Sequence, residues 1–260
     1  MACTEETVAI LESHGCEVLL KSDLFDANGV YRESSEDSLH SCDMFVAIGG
    51  DGTIIHTAKL AASFDKPILG INAGTLGFTA GVERNELSLL LNLLNGKYRE
   101  EKRLMLEVQF ISREAVTFHR ALNDAVVAGE LSTIIDYQMA LGENRGYHYR
   151  ADGFIVATPT GSTAYSLSAG GPVIQPDMDC LVICPHSLFN RSVVFGGDTR
   201  LTVSIPENVH QLFLMVDGET PIPLRSGDQL VFSRSERVAR FLKLDRKDFY
   251  DILNQKIIET

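Results

Sequence analysis

Apolar residues follow three helical and several continuous rhythms along the first hundred positions of the chain. Val8 and Leu11 share a helical spacing in a segment that Thr4 can cap and Gly15 can end. A short strand is predicted at Glu17–Leu20. The uninterrupted apolar run Met44–Ile48 leads straight into Gly49-Gly50-Asp51-Gly52-Thr53, and helical spacing resumes from Ile54 to about Ser63. Pro67 introduces a strand at Ile68–Ile71, and Asn85 stands where it would cap a leucine-rich helix that Gly96 stops. Strands that are apolar throughout and separated by helices indicate a parallel sheet covered on both faces.

Beyond residue 100 the rhythm becomes alternation. Leu104, Leu106, Val108 and Phe110 form one set, Ile135, Tyr137, Met139 and Leu141 a second, and Leu201, Val203 and Ile205 a third. Such sets predict half-buried antiparallel strands. Asp217-Gly218 is a hairpin signal between Gln211–Val216 and the strand that follows. Helical spacing returns at the end, with Phe249, Leu253 and Ile257 on one stripe. The prediction is α/β plus β: an α/β domain over residues 1–98, a β-rich domain over 99–243, and a terminal helix over 244–260 free to pack back on the first.

Composition narrows the classes. A chain of 260 residues, 45% hydrophobic, can bury a full core as one large domain or two small ones. No apolar run approaches the roughly 18 to 20 residues that span a bilayer, and the N-terminal residues lack a signal-peptide pattern. The five cysteines, Cys3, Cys16, Cys42, Cys180 and Cys184, have no paired metal-type spacing and read as reduced thiols of a cytoplasmic protein. Cys180 and Cys184 flank Leu181-Val182-Ile183 and read as strand residues. A net charge of −12 without any Lys/Arg cluster argues against a nucleic-acid surface. An acidic protein that binds an anionic nucleotide must gather local positive potential from backbone N–H groups, a few basic side chains or a metal ion.

Three elements carry candidate chemistry. Gly49–Thr53 sits where ligands bind in open α/β sheets, at the end of a strand and the start of a helix. Glycines there let backbone approach phosphates, and a lone carboxylate, Asp51, makes sense beside them if it accepts a proton from an attacking hydroxyl or helps to hold Mg²⁺. An ordinary turn with Asp51 bonded to its own backbone is the alternative. The second element runs from Ala151-Asp152-Gly153 through the strand Phe154–Ala157 to the block Thr158–Gly171. Its small residues could admit a flat base, its hydroxyls could address the base edges, and Tyr165 could stack. Thr160 and Ser162 serve equally well as ordinary helix caps. The third is Leu122-Asn123-Asp124-Ala125, where neighbouring polar residues at the head of a strand face opposite ways and one needs a partner inside.

GGDGT, the Asn-acid pair and the DGFIVATPTGSTAYSLSAGGP block together resemble the NAD kinase family. The resemblance covers nearly the whole chain, including Ile71–Phe78, Cys184–Arg191 and the closing helix after Phe241. It implies a Rossmann-like N-terminal domain, a β-sandwich-like C-terminal domain and homodimers or homotetramers. It further implies transfer of a phosphoryl group from ATP or polyphosphate, with Mg²⁺ or another divalent cation, to the adenosine 2′-hydroxyl of NAD. By position, Asp51 would be the general base, with Gly50 and Gly52 at the phosphates and His56 either touching phosphate or simply exposed on its helix. Asn123 and Asp124 would hold the adenosine. Thr163, Ala164, Tyr165 and Ser168 would line the adenine pocket, with Thr160 a further substrate-binding residue and Glu219 near the nucleotide. Arg150 and Asp152 would come from the edge of the second domain. His186 and Arg191 read as structural or interface residues.

The chain departs from the family pattern in four places. The family opens with a strand before its first helix, whereas this sequence begins at the helix, so a strand upstream of Met1 is expected. Asp124 stands where Glu is usual, Asp217-Gly218-Glu219 replaces Asp-Gly-Gln, and Asp179–Cys184 is a few residues shorter. Lipid kinases share GGDGT but lack the Thr158–Gly171 block. A non-catalytic nucleotide sensor would have lost Asp51 or a loop glycine, and a dehydrogenase would show G-x-G-x-x-G after an early strand.

Overall fold

The computed structural model describes residues 2–20, 35–74, 77–129, 134–144, 146–186, 191–205, 212–244 and 247–258. The chain forms two compact units, Met1–Lys102 with Ala239–Thr260, and Arg103–Val238.

In the first unit, α1 (Ala2–Ser13) begins before Thr4, which therefore lies inside the helix rather than capping it. Gly15 ends it with φ 83°: the N–H groups of Gly15 and Cys16 return to the carbonyls of Glu12 and Leu11. The strand expected at Glu17–Leu20 does not form. Leu19 and Leu20 stay exposed, and no described strand offers these residues a ladder. After α2 (Ser35–Ser41), β1 (Phe45–Gly49) runs into α3 (Asp51–Ser63), so this helix starts three residues earlier than the spacing suggests. Its apolar stripe buries Ile54, Ile55, Ala58, Ala61 and Ala62. Parallel to β1 lies β2 (Pro67–Asn72), in register from Phe45↔Ile68 to Gly49↔Asn72. The short β3 (Val82–Glu83) and residues Arg240 and Phe241 also pair parallel to β2. A 3₁₀ turn, Arg84–Leu89, then leads into α4 (Leu90–Leu94), and Gly96 follows with φ 67°. The capping residue is Glu83 rather than Asn85, its N–H bonded to Glu86 Oε2 at 3.2 Å. Parallel pairing with helices in sequence is the Rossmann-like arrangement expected.

The second unit is a sandwich. Its alternating strands form one layer: β4 (Arg99–Ile111, entering from the first unit) with β5 (Val116–Ala121), and β7 (Ile135–Leu141) with β8 (Tyr147–Ala151). The other layer is a six-stranded antiparallel sheet. It contains β6 (Asp124–Gly129), β9 (Gly153–Ala157), β10 (Cys180–Pro185), β11 (Val193–Gly196), β13 (Leu212–Val216) and β14 (Ile222–Leu224), in the order β11-β10-β9-β6-β13-β14. Strands β12 (Leu201–Ser204) and β15 (Gln229–Lys243) complete the first layer. Leu106, Tyr137, Val203 and Phe232 meet Val127, Phe154, Ile183 and Leu214 in one core between the layers. The far face of the six-stranded sheet is also buried, with Val126, Ile155, Val182 and Ile174 in a second cluster. Cys180 and Cys184 sit in that cluster as strand residues, and all five thiols are free. The segment after β9 includes the short helix α5 (Tyr165–Ser168).

The chain then returns to the first unit as α6 (Phe249–Leu253), continued by a π-helical turn, Asn254–Ile258. Ile252 is its buried residue, with Phe249 and Leu253 half-buried. The π turn changes the spacing after Leu253, so the expected stripe does not continue regularly. The side chain of Ile257 lies outside the described residues, as do Thr75, Leu76, Ser187–Asn190 and Gln211 from the expected motifs. Among the described residues, no helix is long and apolar enough to cross a membrane.

Candidate active site

Asp51 is the first residue of α3, directly after the extended Gly50. A Cβ at Gly50 or Gly52 would meet nothing within 4 Å, so these glycines leave open space over the loop rather than relieve a backbone strain. The Asp51 carboxylate is held from across the unit. Its Oδ1 accepts from Thr79 Oγ1 at 2.6 Å and from Thr79 N–H at 3.3 Å, and its Oδ2 accepts from Phe78 N–H at 3.3 Å. A Cβ at Gly77 would overlap Asp51 Oδ1, so only glycine lets this loop close on the carboxylate. The ordinary-turn alternative is thereby excluded, because Asp51 bonds residues 27 and 28 positions away.

The holding loop is itself anchored. Lys243, 5% exposed, donates from Nζ to the carbonyls of Thr79 and Ala80. Asn72, 2% exposed, donates to Glu83 Oε2 at 2.8 Å and accepts from Gly74 N–H at 3.0 Å. Lys256 lies 3.7 Å from Asp51 Oδ2. The sequence singles out none of Thr79, Lys243 or Lys256; a lysine near a chain end carries no local pattern that points to a carboxylate some two hundred residues earlier. His56, on the same helix as Asp51, is exposed.

The second unit gathers three of the expected elements. Asp217 and Gly218, with φ 47° and 70°, form the tight turn after β13, closed by Glu219 N–H to the Val216 carbonyl. From that turn the Asp217 carboxylate accepts three consecutive backbone N–H groups: Leu122 at 2.8 Å, Asn123 at 2.8 Å and Asp124 at 3.1 Å. The Thr158 hydroxyl donates to the Leu122 carbonyl, its N–H to the Asn123 carbonyl, and a Cβ at Gly161 would overlap the Asn123 backbone. Asn123, the Thr158–Gly161 loop and the Asp217–Glu219 turn are thus locked together.

The hydroxyl-rich block is used differently from the sequence expectation. Ser162 Oγ donates to the Pro159 carbonyl and accepts from Ile174 N–H, and Ser166 Oγ contacts Cys184 Sγ at 3.1 Å. Thr158, Ser162 and Ser166 are buried, so these hydroxyls brace the loop instead of addressing a base. Thr160, expected to bind substrate, is 6% exposed; its Oγ1 is shielded from solvent and bonded to none of the described residues. Burial removes Thr160 from the accessible surface of the block in this arrangement. Thr163 and Ala164 are half-buried, and Tyr165 and Ser168 are exposed. The Tyr165 ring stands edge-on to His186 at 6.3 Å. Asp152 N–H donates to the His186 carbonyl. Arg150 is exposed on β8, opposite Asp136 of β7 and 3.9 Å from its carboxylate. Glu219 is exposed beside the turn.

Asp124 does not find the interior partner its strand position demands. It is 6% exposed, and no described donor reaches its carboxylate. Burial and then the neighbouring Asp217 charge push its pKa from 3.8 to about 7. The unfolded chain releases this proton at lower pH than the folded chain. Stability is therefore fully present below 3.8 and declines until the pH passes about 7. The loss is on the order of 4 kcal/mol, since each tenfold change in proton affinity corresponds to about 1.4 kcal/mol. Denaturant unfolding at pH 5 and pH 8 should show this decline in the parent protein and a much flatter dependence in Asp124→Asn.

The first unit thus carries a glycine loop with a held carboxylate, and the second a β-sandwich with a braced polar loop. Residues 5–98 match the ATP-NAD kinase N-terminal domain, and residues 122–244 match the ATP-NAD kinase C-terminal domain. An NAD kinase of Symbiobacterium thermophilum is 43% identical over 224 residues, 84% of this chain and 79% of that protein. One from Natranaerobius thermophilus is 38% identical over 262 residues, covering 98% and 92%. The structure of an NAD kinase from Archaeoglobus fulgidus in complex with ATP superposes with a TM-score of 0.72 at 26% identity, covering 96% of this chain and 92% of that one. Yeast NADH kinase complexed with NADH shares the fold, with a TM-score of 0.76 at 24% identity over 98% of this chain and 76% of that one. The chain belongs to the NAD kinase family and is an enzyme, a phosphotransferase.

Proposed function

We propose that this enzyme transfers the terminal phosphoryl group of ATP, or of polyphosphate, to the 2′-hydroxyl of the adenosine ribose of NAD, with Asp51 as general base. The observation that carries this reading is the Asp51 carboxylate, fixed at the mouth of an open glycine loop with one lone pair on Oδ2 to which no described residue donates a hydrogen bond. Phosphoryl transfer asks mainly for alignment and for neutralisation of charge on the transferred group. In this reading Gly50 and Gly52 admit the phosphates, with His56 further along the helix as an exposed basic group. Asn123 and Asp124 hold the adenosine hydroxyls, and Thr163, Ala164, Tyr165 and Ser168 line the adenine site. Arg150, Asp152 and Glu219 serve the rest of the dinucleotide.

No group of three or more metal-binding side chains occurs among the described residues. Mg²⁺ (or another divalent cation) keeps its waters and is held mainly by substrate phosphates, so the reading asks for no dedicated cage of protein ligands. When bound, it would neutralise donor phosphate charge. A cytoplasmic location, supported by five free thiols, and the absence of a nucleic-acid partner, supported by the acidic balance, complete the proposal, with no membrane partner and with assembly as a homodimer or homotetramer resting on the family resemblance alone.

The test is NADP formation by the purified protein from NAD, ATP and Mg²⁺. Turnover is expected. A folded protein that binds NAD without turnover would favour a nucleotide sensor instead.

A further inference from the structure

We infer that Lys256, on the terminal helix, is a further catalytic residue: its ammonium pairs with Asp51 at rest and passes to the terminal phosphate of the donor during transfer. The inference rests on the reading of Asp51 as the base.

The terminal segment is built to bring this lysine to that carboxylate. Asp248 caps α6 by accepting from Asp251 N–H at 2.9 Å, and the Phe249 ring lies 6.1 Å from Phe78, in the loop that holds Asp51. The helix then widens into the π turn Asn254–Ile258, an irregularity that recurs at functional sites. From this turn Lys256 Nζ sits 4.7 Å over the Phe78 ring and 3.7 Å from Asp51 Oδ2. Cation and carboxylate are 27% and 33% exposed. A partly exposed pair at that separation stabilises a fold very little. Holding the chain together is a poor account of the arrangement.

The pairing does fit the chemistry. Oδ1 is saturated by the two Thr79 donors, whereas Oδ2 has one hydrogen bond, from Phe78. At 3.7 Å, Lys256 attracts the second lone pair of Oδ2 without hydrogen-bonding to it, so a substrate hydroxyl can donate there. In the reaction the hydroxyl O–H bond breaks and its proton goes to Oδ2. The hydroxyl oxygen forms the new O–P bond, and the bond from that phosphorus to the bridging oxygen breaks, its electron pair leaving on the diphosphate. Protonation cancels the charge on Asp51 as negative charge spreads over the transferred phosphoryl oxygens. The ammonium loses one anionic partner and gains another beside it. A lysine, a compact charge on a flexible stem, suits a group that must change partners.

The experiment compares the parent protein with Lys256→Met, Lys256→Arg and a control, Lys247→Met. Lys247 lies just ahead of the same helix, in a similar pair with Glu86 at 3.6 Å. Lys256→Met should lose about 100-fold in kcat with little change in KM for NAD, the scale for removing one charge-stabilising donor. Its Tm should stay within about 2 °C of the parent. Lys256→Arg should recover most of the loss, and Lys247→Met should behave as the parent. Independently, ATP with Mg²⁺ should slow modification of Lys256 by an amine-directed reagent, read by peptide mass spectrometry. The inference is overturned if Lys256→Met keeps parental kcat, if its loss only tracks a fall in Tm, or if ATP gives Lys256 no protection. Should the parent make no NADP, the Asp51 reading fails, and the labelling experiment alone still decides whether Lys256 meets the triphosphate.

Discussion

Asp51→Asn should lower kcat by about 10²- to 10⁴-fold, the range lost with a general base, while NAD and ATP still bind. The amide retains an oxygen that can accept from Thr79, so the clamp from the 77–80 loop survives in part. What it loses is the capacity to take a proton. Its NH₂ group also meets the Phe78 N–H, a donor facing a donor, and no longer balances Lys256. A modest loss of stability, about 1 to 2 kcal/mol, should accompany the kinetic defect. Steady-state kinetics beside thermal unfolding separates the two effects: a variant that is folded, binds NAD and turns over at the parental rate would remove Asp51 from the mechanism.

The second large effect is expected at Asp217→Asn, a change in a turn rather than in a pocket. The carboxylate accepts three backbone N–H groups from Leu122, Asn123 and Asp124. Asparagine tolerates the positive φ of this position but offers one acceptor oxygen, not two. Oδ1 serves Asn123 and Asp124, and Oδ2 serves Leu122, so the new NH₂ group would face the Leu122 N–H and leave it unpaired. The expected cost is about 2 to 4 kcal/mol, from one lost charge-assisted bond and one unsatisfied buried donor. Loss of the Asp217 charge also relieves Asp124, so the cost should shrink as pH rises toward about 8. Denaturant unfolding of Asp217→Asn, Asp124→Asn and the double variant measures both effects, and strong non-additivity is expected. NAD affinity should fall as well, because Asn123 and Asp124 would lose their fixed backbone.

Those two sites mark where sequence reading succeeds and where it stops. The loop Gly49–Thr53, the alternating strands and the Asp217-Gly218 turn are legible because each is a local pattern of a few residues. The strand at Glu17–Leu20 fails because a strand is defined by a neighbour, and none of the described strands pairs with it. Asn85 suits a cap by residue type, while Glu83 takes the role because it ends β3 and its N–H reaches Glu86. The hydroxyls of Thr158, Ser162 and Ser166 look like ligand groups, since sequence cannot tell an exposed hydroxyl from one consumed inside its own loop. Least legible are the partners of Asp51. Thr79 is 28 positions away, and Lys243 and Lys256 join it only because the chain returns to its first unit.

That return has a consequence for synthesis. The first unit combines residues 1–102 with residues 239–260, whereas residues 103–238 form the second without interruption. As the chain leaves the ribosome, the sandwich can fold while the α/β unit still lacks Arg240 and Phe241 at its sheet edge and Lys243 beneath the loop of Thr79. The loop that fixes Asp51 acquires its two lysines only after residues 103–238 have been made. A nascent chain that has not yet reached Lys243 and Lys256 therefore carries Asp51 with Thr79 and Phe78, but without the lysine beneath their loop or the one beside the carboxylate.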